Sequence, residues 1–416
     1  MANARPPEAV AGLDEIVLWL SRQAIAGIGE TALLGGLGER LVALGVPIGR
    51  LSLGAETLHP TLDARSIIWR PGKGVEDSVY SRFEDDPTAL AQWYGSPFYY
   101  MAENKQPRIR RRLNSADYDP GEFSLLNDFR AHGLTDYYAA AISFGEAVTL
   151  GERGTVHVSF SSDSPDGFSD ADLATFDRLL PHLGLAYMAV YSIATARTLM
   201  TTYLGHGPAK RVLAGDIARG DVSKGFKVLW FSDIEGFTRL ADTVAPEVLI
   251  DLLNTYADIV VSAIEVFGGD VVKFMGDGVL ATFVAHDPVD ACARALDATA
   301  TVQQYLDSTS EDRRKQGKPV APVTIALHYG EVLYGNIGSE ERLDFTVVGP
   351  AVNEVARMET MCRQLDQRVI ISKAFADAAG NVHNRLVSMG RYALKGIGRP
   401  VELFTLDPEA FEPLPA

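Results

Sequence analysis

The stretch from Val271 to Phe283 constrains the fold more tightly than any other part of the chain. Val271–Met275 and Val279–Phe283 are apolar runs of strand length, and Gly276-Asp277-Gly278 between them is a tight-turn sequence, so the segment reads as a β-hairpin. A buried-type strand, Lys227–Ser232, runs into Asp233-Ile-Glu-Gly236-Phe237-Thr238. Each segment sets a carboxylate at the edge of an apolar strand, beside glycines that leave backbone amides open. Two carboxylates brought together at strand ends form a hard-cation site suited to magnesium and a polyphosphate. Either aspartate alone would read as an N-cap or a turn residue.

Helical patterns surround these strands. Pro246 opens a helix whose Leu249, Leu252, Leu253, Tyr256, Ile259 and Val260 share a face, and Gly268-Gly269-Asp270 ends it. Asp287-Pro288 caps and starts a second helix, strands at Val323–His328 and Phe345–Val348 follow, and Gly349-Pro350 starts a third helix through about Met361. The fold class expected is α+β, with the order β-α-β-β-α-β of a ferredoxin-like sheet carrying helices on one face. In that order the Asp233 strand and the Asp277 hairpin are neighbours, which would bring both carboxylates into one metal site. Asn353 and Arg357, at i and i+4 of the third helix, project from one face. A guanidinium there can stabilise the charge of a pentacovalent phosphorus, and the Asn amide can orient ribose. Glu235 to Thr238 begins a helical turn whose free amides suit phosphate oxygens.

The first ~175 residues read as a separate α/β module. Leu13, Ile16, Val17, Leu20 and Ala24 trace a helical stripe, and a second helix covers Thr31 to Leu44. Strand-like runs lie at Arg50–Leu53, Ser66–Trp69, Tyr138–Phe144 and Val156–Ser161. A long Pro- and aromatic-rich region containing Trp93 to Tyr100 separates them, and it either lines a pocket or packs as plain core. Arg108-Ile-Arg110-Arg111-Arg112 reads as a solvated loop, with an anion-binding patch as the alternative. In the following helix, Phe176, Leu180, Leu183, Tyr187, Val190 and Ala194 alternate by four and three. They form either the seam of a parallel dimer or a stripe covering the domain's own sheet. The segments are therefore 1–175, a helix and linker at 176–225, a second domain at 226–407 and a tail at 408–416.

A net charge of −16 speaks against a nucleic-acid scaffold, and 47% hydrophobic with 22% charged residues is ordinary for globular chains. Cys292 and Cys362 belong to no CxxC or Cys/His cluster, which fits a reducing compartment and disfavours zinc or disulfides. His59, His132 and His157 read as ordinary strand or turn residues rather than haem or metal ligands. The amino terminus lacks an apolar signal core. Leu179 to Ala196 carries no charge, but Pro181, His182, Tyr187, Tyr191, Ser192 and Thr195 make it read as a soluble helix, not a membrane span. The expected location is cytoplasmic.

The second half resembles the catalytic domain of class III nucleotidyl cyclases. The resemblance rests on the ordered motifs Phe231-Ser-Asp233-Ile-Glu-Gly-Phe-Thr238, Gly269-Asp-Val-Val-Lys273-Phe-Met-Gly-Asp277, Thr346-Val-Val-Gly-Pro-Ala-Val-Asn353-Glu-Val-Ala-Arg357-Met-Glu359 and Leu394-Lys395-Gly396. It implies two catalytic domains packed head to tail, with Asp233, the Ile234 carbonyl and Asp277 of one protomer binding two Mg2+ or Mn2+ ions per active site. Lys273, Thr346, Asn353, Arg357 and Lys395 would come from the other protomer. Lys273 matches the adenine-reading position, and Thr346 stands where an aspartate is usual, a replacement found in a subclass of bacterial adenylate cyclases. Because the whole set lies on one chain, a homodimer converting ATP to cyclic AMP and pyrophosphate is expected. Gly236, Phe237 and Thr238 would bind its phosphates. The first domain resembles GAF-type sensor modules, which implies an unidentified small-molecule or protein signal. Alternatives are a nucleotide-binding regulatory protein with little turnover, which the intact Asp233, Asp277 and Arg357 disfavour, and a guanylate cyclase, which Lys273 disfavours. A diguanylate cyclase is disfavoured by Val271-Val272 after Gly268-Gly269-Asp270.

Overall fold

The computed structural model describes residues 7–81, 87–145, 154–393 and 400–407. The chain divides into two compact units at Leu199/Met200, inside the stretch read as helix and linker. In the first unit, helices α1 (Pro7–Ala26) and α2 (Glu30–Ala43) precede strands β1 (Arg50–Glu56), β2 (Leu62–Arg70) and β3 (Gly74–Ser81). Short helices α3 (Pro87–Tyr94) and α4 (Pro97–Glu103) follow, then β4 (Arg108–Arg112), α5 (Ser124–Ala131), β5 (Asp136–Ser143) and β6 (Thr155–Ser162). Among the described residues the sheet has six antiparallel strands in the order β3-β2-β1-β6-β5-β4.

The aromatic-rich stretch is not a loop. Ser96 caps α4, its side chain accepting from the Tyr99 amide at 3.2 Å, and Pro97 fits the first helical position. The Arg108–Arg112 cluster is corrected too: it forms edge strand β4. Only Ile109 is buried, so no alternation of apolar residues announces the strand. Its charges are spent internally, Arg110 on the fully buried Asp136 at 2.7 Å, Arg108 on Asp177 at 2.8 Å and Arg111 on Glu122.

Helix α6 (Asp170–Leu204) leaves the sheet with Pro181 inside it. By length and composition alone it could cross a bilayer, although 44% of its apolar window is buried. The heptad-like stripe does not form a dimer seam. Phe176, Leu180, Leu183 and Tyr187 are buried in the first unit's own core with α1, α2 and the sheet, while Ala194 is exposed. Period and spacing are the same for either partner, so the pattern could not tell a copy of the chain from its own sheet.

The second unit begins with α7 (His206–Leu213) and β7 (Val222–Ile234), followed by α8 (Phe237–Ala241), α9 (Pro246–Val266), β8 (Gly269–Met275) and β9 (Gly278–Phe283). Then come α10 (Pro288–Lys315), β10 (Val323–Gly338), β11 (Leu343–Val348), α11 (Pro350–Gln364), β12 (Val369–Ser372), α12 (Lys373–Ala378), β13 (Leu386–Tyr392) and β14 (Val401–Leu406). The core order β10-β7-β9-β8 is antiparallel throughout and matches a βαββαβ unit, with β12, β14 and β13 extending it. β7 starts five residues before the expected Lys227 because its first half pairs with the far arm of β10, from Val222↔Gly335 to Phe226↔Glu331. That ribbon is half-exposed, so it has no apolar run to betray it.

Strand alternation splits the core into two layers. Val228, Trp230, Val279, Ala281, Ile325 and Leu327 face α9 and α10, whereas Leu229, Leu280, Ala326 and Val332 face α11. The expectation of helices on one face is therefore wrong for α11, which covers the opposite side through Ala351, Val355, Met358 and Cys362. A crossover from β11 can deliver its helix to either face, and sequence order does not choose between them.

Two buried histidines tie stability to pH. In the second unit, His328 is held against Ser372 Oγ at 2.9 Å, and burial pushes its pKa down to about 4. Unfolded histidine titrates near pH 6.5. Above that pH neither state is protonated and stability is complete. Below it the unfolded chain takes up a proton the folded one refuses, so stability falls towards pH 4. By pH 5 the loss is roughly 2 kcal/mol. His328→Asn should flatten the fall in unfolding midpoint between pH 7 and 5; identical slopes in variant and wild type would contradict the assignment.

Candidate active site

The acids lie where β7 ends and the β8–β9 hairpin turns. Asp233 is the penultimate residue of β7, and Ser232 pairs with Val279 just beyond the turn. Met275↔Gly278 closes the hairpin around Gly276 and Asp277, with Gly276 at φ +72°. Gly278 is required for the approach. A Cβ there would lie 3.0 Å from the Ser232 carbonyl and 3.2 Å from Asp233 Oδ1, tighter than ordinary carbon contacts. The two carboxyls interact closely enough for each to feel the other's charge. Burial first, then the Asp277 and Glu359 charges, push the Asp233 pKa up to about 7, and an amide hydrogen bond from Ile234 opposes them.

Behind Asp233 the strand is pinned by buried polar groups. Trp230 Nε1 donates to Ser232 Oγ at 3.1 Å, and Ser232 Oγ meets the Tyr256 hydroxyl at 2.7 Å. Thr324, paired with Asp233 across β10, donates to Glu359 Oε1 at 2.6 Å and lies 3.3 Å from the Asp233 carbonyl. Glu359 on α11 is 9% exposed, and burial raises its pKa. Sequence reasoning quoted Glu359 only as a motif letter. Its signal was an acid two residues after Arg357, on the buried side of the helix.

Alternation places Asp233 on the α11 side of the sheet, the side opposite Trp230 and Ser232. Lys273 shares that side, since it pairs with Leu280 of the α11 layer after a register shift in β8. Its Nζ donates to Asp344 Oδ2 at 2.5 Å. Asp344 and the 9% exposed Thr346 lie two apart on β11 and so project the same way. Asp344 was missed because a charged residue at a strand start reads as solvated. Asn353 and Arg357 are exposed on α11, one turn apart, with Val355 and Met358 buried beneath them. Among the described residues, no hydrogen bond or salt bridge joins Lys273, Asn353 or Arg357 to the acid pair. Gly236, at φ +74°, turns the chain into α8, with Phe237 packed on the core and Thr238 exposed. Lys395 lies outside the described residues.

The donor set fits a divalent cation. Two oxygen-bearing carboxylates converge without a neutralising base, and one is held half-protonated by their repulsion. Among the described residues no group of three or more His, Cys, Asp or Glu side chains could hold a metal ion, so Glu359 stands behind the pair rather than within it.

Residues 226–407 match the family model of the adenylate and guanylate cyclase catalytic domain. This segment is a nucleotidyl cyclase catalytic domain. Its relatives include an adenylate cyclase of Anabaena cylindrica, 32% identical over 163 residues, covering 38% of this chain and 32% of that protein. Adenylate cyclase 1 of Rhizobium meliloti is 27% identical over 240 residues, covering 55% of this chain and 35% of that one. The crystal structure of the adenylyl cyclase CyaB from P. aeruginosa is 25% identical, covers 45% of this chain and 96% of its own, and superposes with a TM-score of 0.41. The chain spans about a third of the length of these curated relatives.

The crowding of acids gives the cyclase domain a testable weakness. Without divalent cations at pH 8, Asp233→Asn should melt above wild type, because it removes one of the repelling charges. Adding Mg2+ should then raise the wild-type midpoint more than the variant's. A variant that melts lower than wild type in chelator would show that the acids do not repel as described.

Proposed function

We propose that the chain is an adenylate cyclase, active as a homodimer, with Asp233 and Asp277 holding two Mg2+ or Mn2+ ions against the nucleotide triphosphate. The meeting of Asp233 with Asp277 over Gly278 supports this most strongly. Bound there, the ions would acidify the ribose 3′ hydroxyl and neutralise the departing phosphates. The 3′ oxygen forms its bond to the α-phosphorus as the bond to the β-phosphate oxygen breaks, giving cyclic AMP and pyrophosphate. The hydroxyl proton is lost to solvent.

The remaining roles fall to the facing copy. The Lys273 ammonium, oriented by Asp344, donates to the acceptor N1 of adenine; guanine carries a proton at that position. The Thr346 hydroxyl accepts from the 6-amino group. Asn353 orients the ribose, and Arg357 offsets charge building on the phosphorus. Backbone amides at Gly236, Phe237 and Thr238 cradle phosphate oxygens, with Lys395 completing the triphosphate grip. The six-stranded first unit acts as a GAF-like regulatory domain for an unidentified signal, in a cytoplasmic protein that binds no nucleic acid.

Purified chain incubated with ATP or GTP plus Mg2+ or Mn2+ should yield cyclic AMP from ATP, and Asp233→Ala should abolish it with the fold intact. Cyclic GMP as the main product would transfer the assignment to a guanylate cyclase. The shared site is tested separately by mixing inactive Asp233→Ala with inactive Arg357→Ala. Random re-pairing leaves half the dimers mixed with one complete site each, restoring roughly a quarter of wild-type turnover. No recovery in demonstrably mixed dimers would place the whole site on one protomer.

A further inference from the structure

One face of the first unit's sheet is polar at its centre. Arg50 stands opposite Ser161 across β1 and β6, Ser52 opposite Ser159, and Gly54 opposite His157. On β5 the same rows continue with Tyr137, Ala139 and Ala141. Strand alternation puts all of these on one side. Their neighbours Leu51, Leu53, Val158 and Phe160 face the other way, into the core with α1, α2 and α6. The layer above the polar face comes from α4 and α5. The Phe98 ring lies 5.1 Å from the His157 ring, and the Arg50 guanidinium sits 4.6 Å over the Phe129 ring.

Arg50 is 8% exposed, and among the described residues no carboxylate lies within salt-bridge distance of it. Its Nη1 donates to Ser52 Oγ at 2.9 Å and Ser159 Oγ at 3.3 Å, but its Nε has no partner. Ser161 Oγ and His157 Nε2 are also buried and unpartnered. A buried cation without a counter-ion costs several kcal/mol, and orphaned donors add to that cost. Burial pushes the Arg50 pKa down to about 10, so the guanidinium is charged at neutral pH although its surroundings oppose the charge. Burial also pushes the His157 pKa to about 4, so the imidazole adds hydrogen-bonding capacity and no charge. The face therefore carries one net positive charge, open donors and a floor of small side chains under aromatic rings.

We propose that this face of the first unit binds a small organic monocarboxylate with a flat, apolar body. The carboxylate takes the free Arg50 Nε and the Ser161 hydroxyl, and the body lies over Gly54, Ala139 and Ala141 beneath Phe98 and Phe129. A single positive charge suits a monoanion better than inorganic phosphate, and the rings suit a planar group. The site is independent of the cyclase assignment, and its occupancy is read by binding alone.

The test is calorimetric titration of the full chain with benzoate, cinnamate and 4-hydroxybenzoate, with benzamide and inorganic phosphate as controls. Saturable binding of at least one carboxylate, one per chain, is expected. Benzamide and phosphate should bind at least about tenfold more weakly, because neither offers a single charge on a flat body. Arg50→Met should abolish the binding. Gly54→Ala gives a variant that keeps its fold, since the added methyl would sit at an ordinary 3.6 Å from Phe98. It narrows the floor and should weaken binding several-fold. Absence of saturable binding by all three carboxylates would mean that water fills the orphaned positions, and would overturn the proposal. Equal binding of benzamide or phosphate, or undiminished binding in both variants, would overturn it as well.

Discussion

The catalytic unit is organised around a repulsion. Asp233 and Asp277 are forced together at a sheet edge, with Glu359 close behind, and no base in contact neutralises them. Left to themselves the carboxylates would part. They stay because β7 is locked between β9 and β10, and because the hairpin places Gly278 where a side chain would collide with Asp233. The cost is borne by the apolar layers on either side, where Trp230 and Phe283 are fully buried and Val355 and Met358 seal α11. Removing a large core side chain of this kind typically costs about 3–5 kcal/mol. The fold can therefore carry one strained edge.

The same sheet sorts chemistry by face. Residues that stiffen the strand, Ser232 and Tyr256, lie with α9 and α10, while Asp233, Lys273 and Glu359 lie with α11. Covering the opposite face with α11 thus carries Asn353 and Arg357 to the side that bears the acids. A pair of helices on one face, as the simpler pattern implied, would have separated them.

Much of this arrangement was legible in the chain because it rests on local chemistry. The Gly276-Asp277-Gly278 turn, Pro246, Pro288 and Pro350 at helix starts, and the apolar strands each fix their own element. What escaped depends on partners far away in sequence. Edge strand β4 is nearly all arginine and exists because Asp136, Glu122 and Asp177 stand ready for it. The stripe on α6 fits a copy or its own sheet equally well, and only packing decides. Asp344 and Glu359 gain meaning only once β8 meets β11 and α11 meets β10. Arg50 looks like a strand residue until its burial without a counter-ion is seen.

The central claim is that the ends of β7 and the β8–β9 turn bring two acids together to hold divalent cations. Crystals of the full chain grown with Mn2+ and a non-hydrolysable ATP analogue would test it most directly, through anomalous scattering. The account places manganese peaks within coordination distance of both Asp233 and Asp277. Manganese bound elsewhere, or on one of these carboxylates with the other turned away, would contradict it.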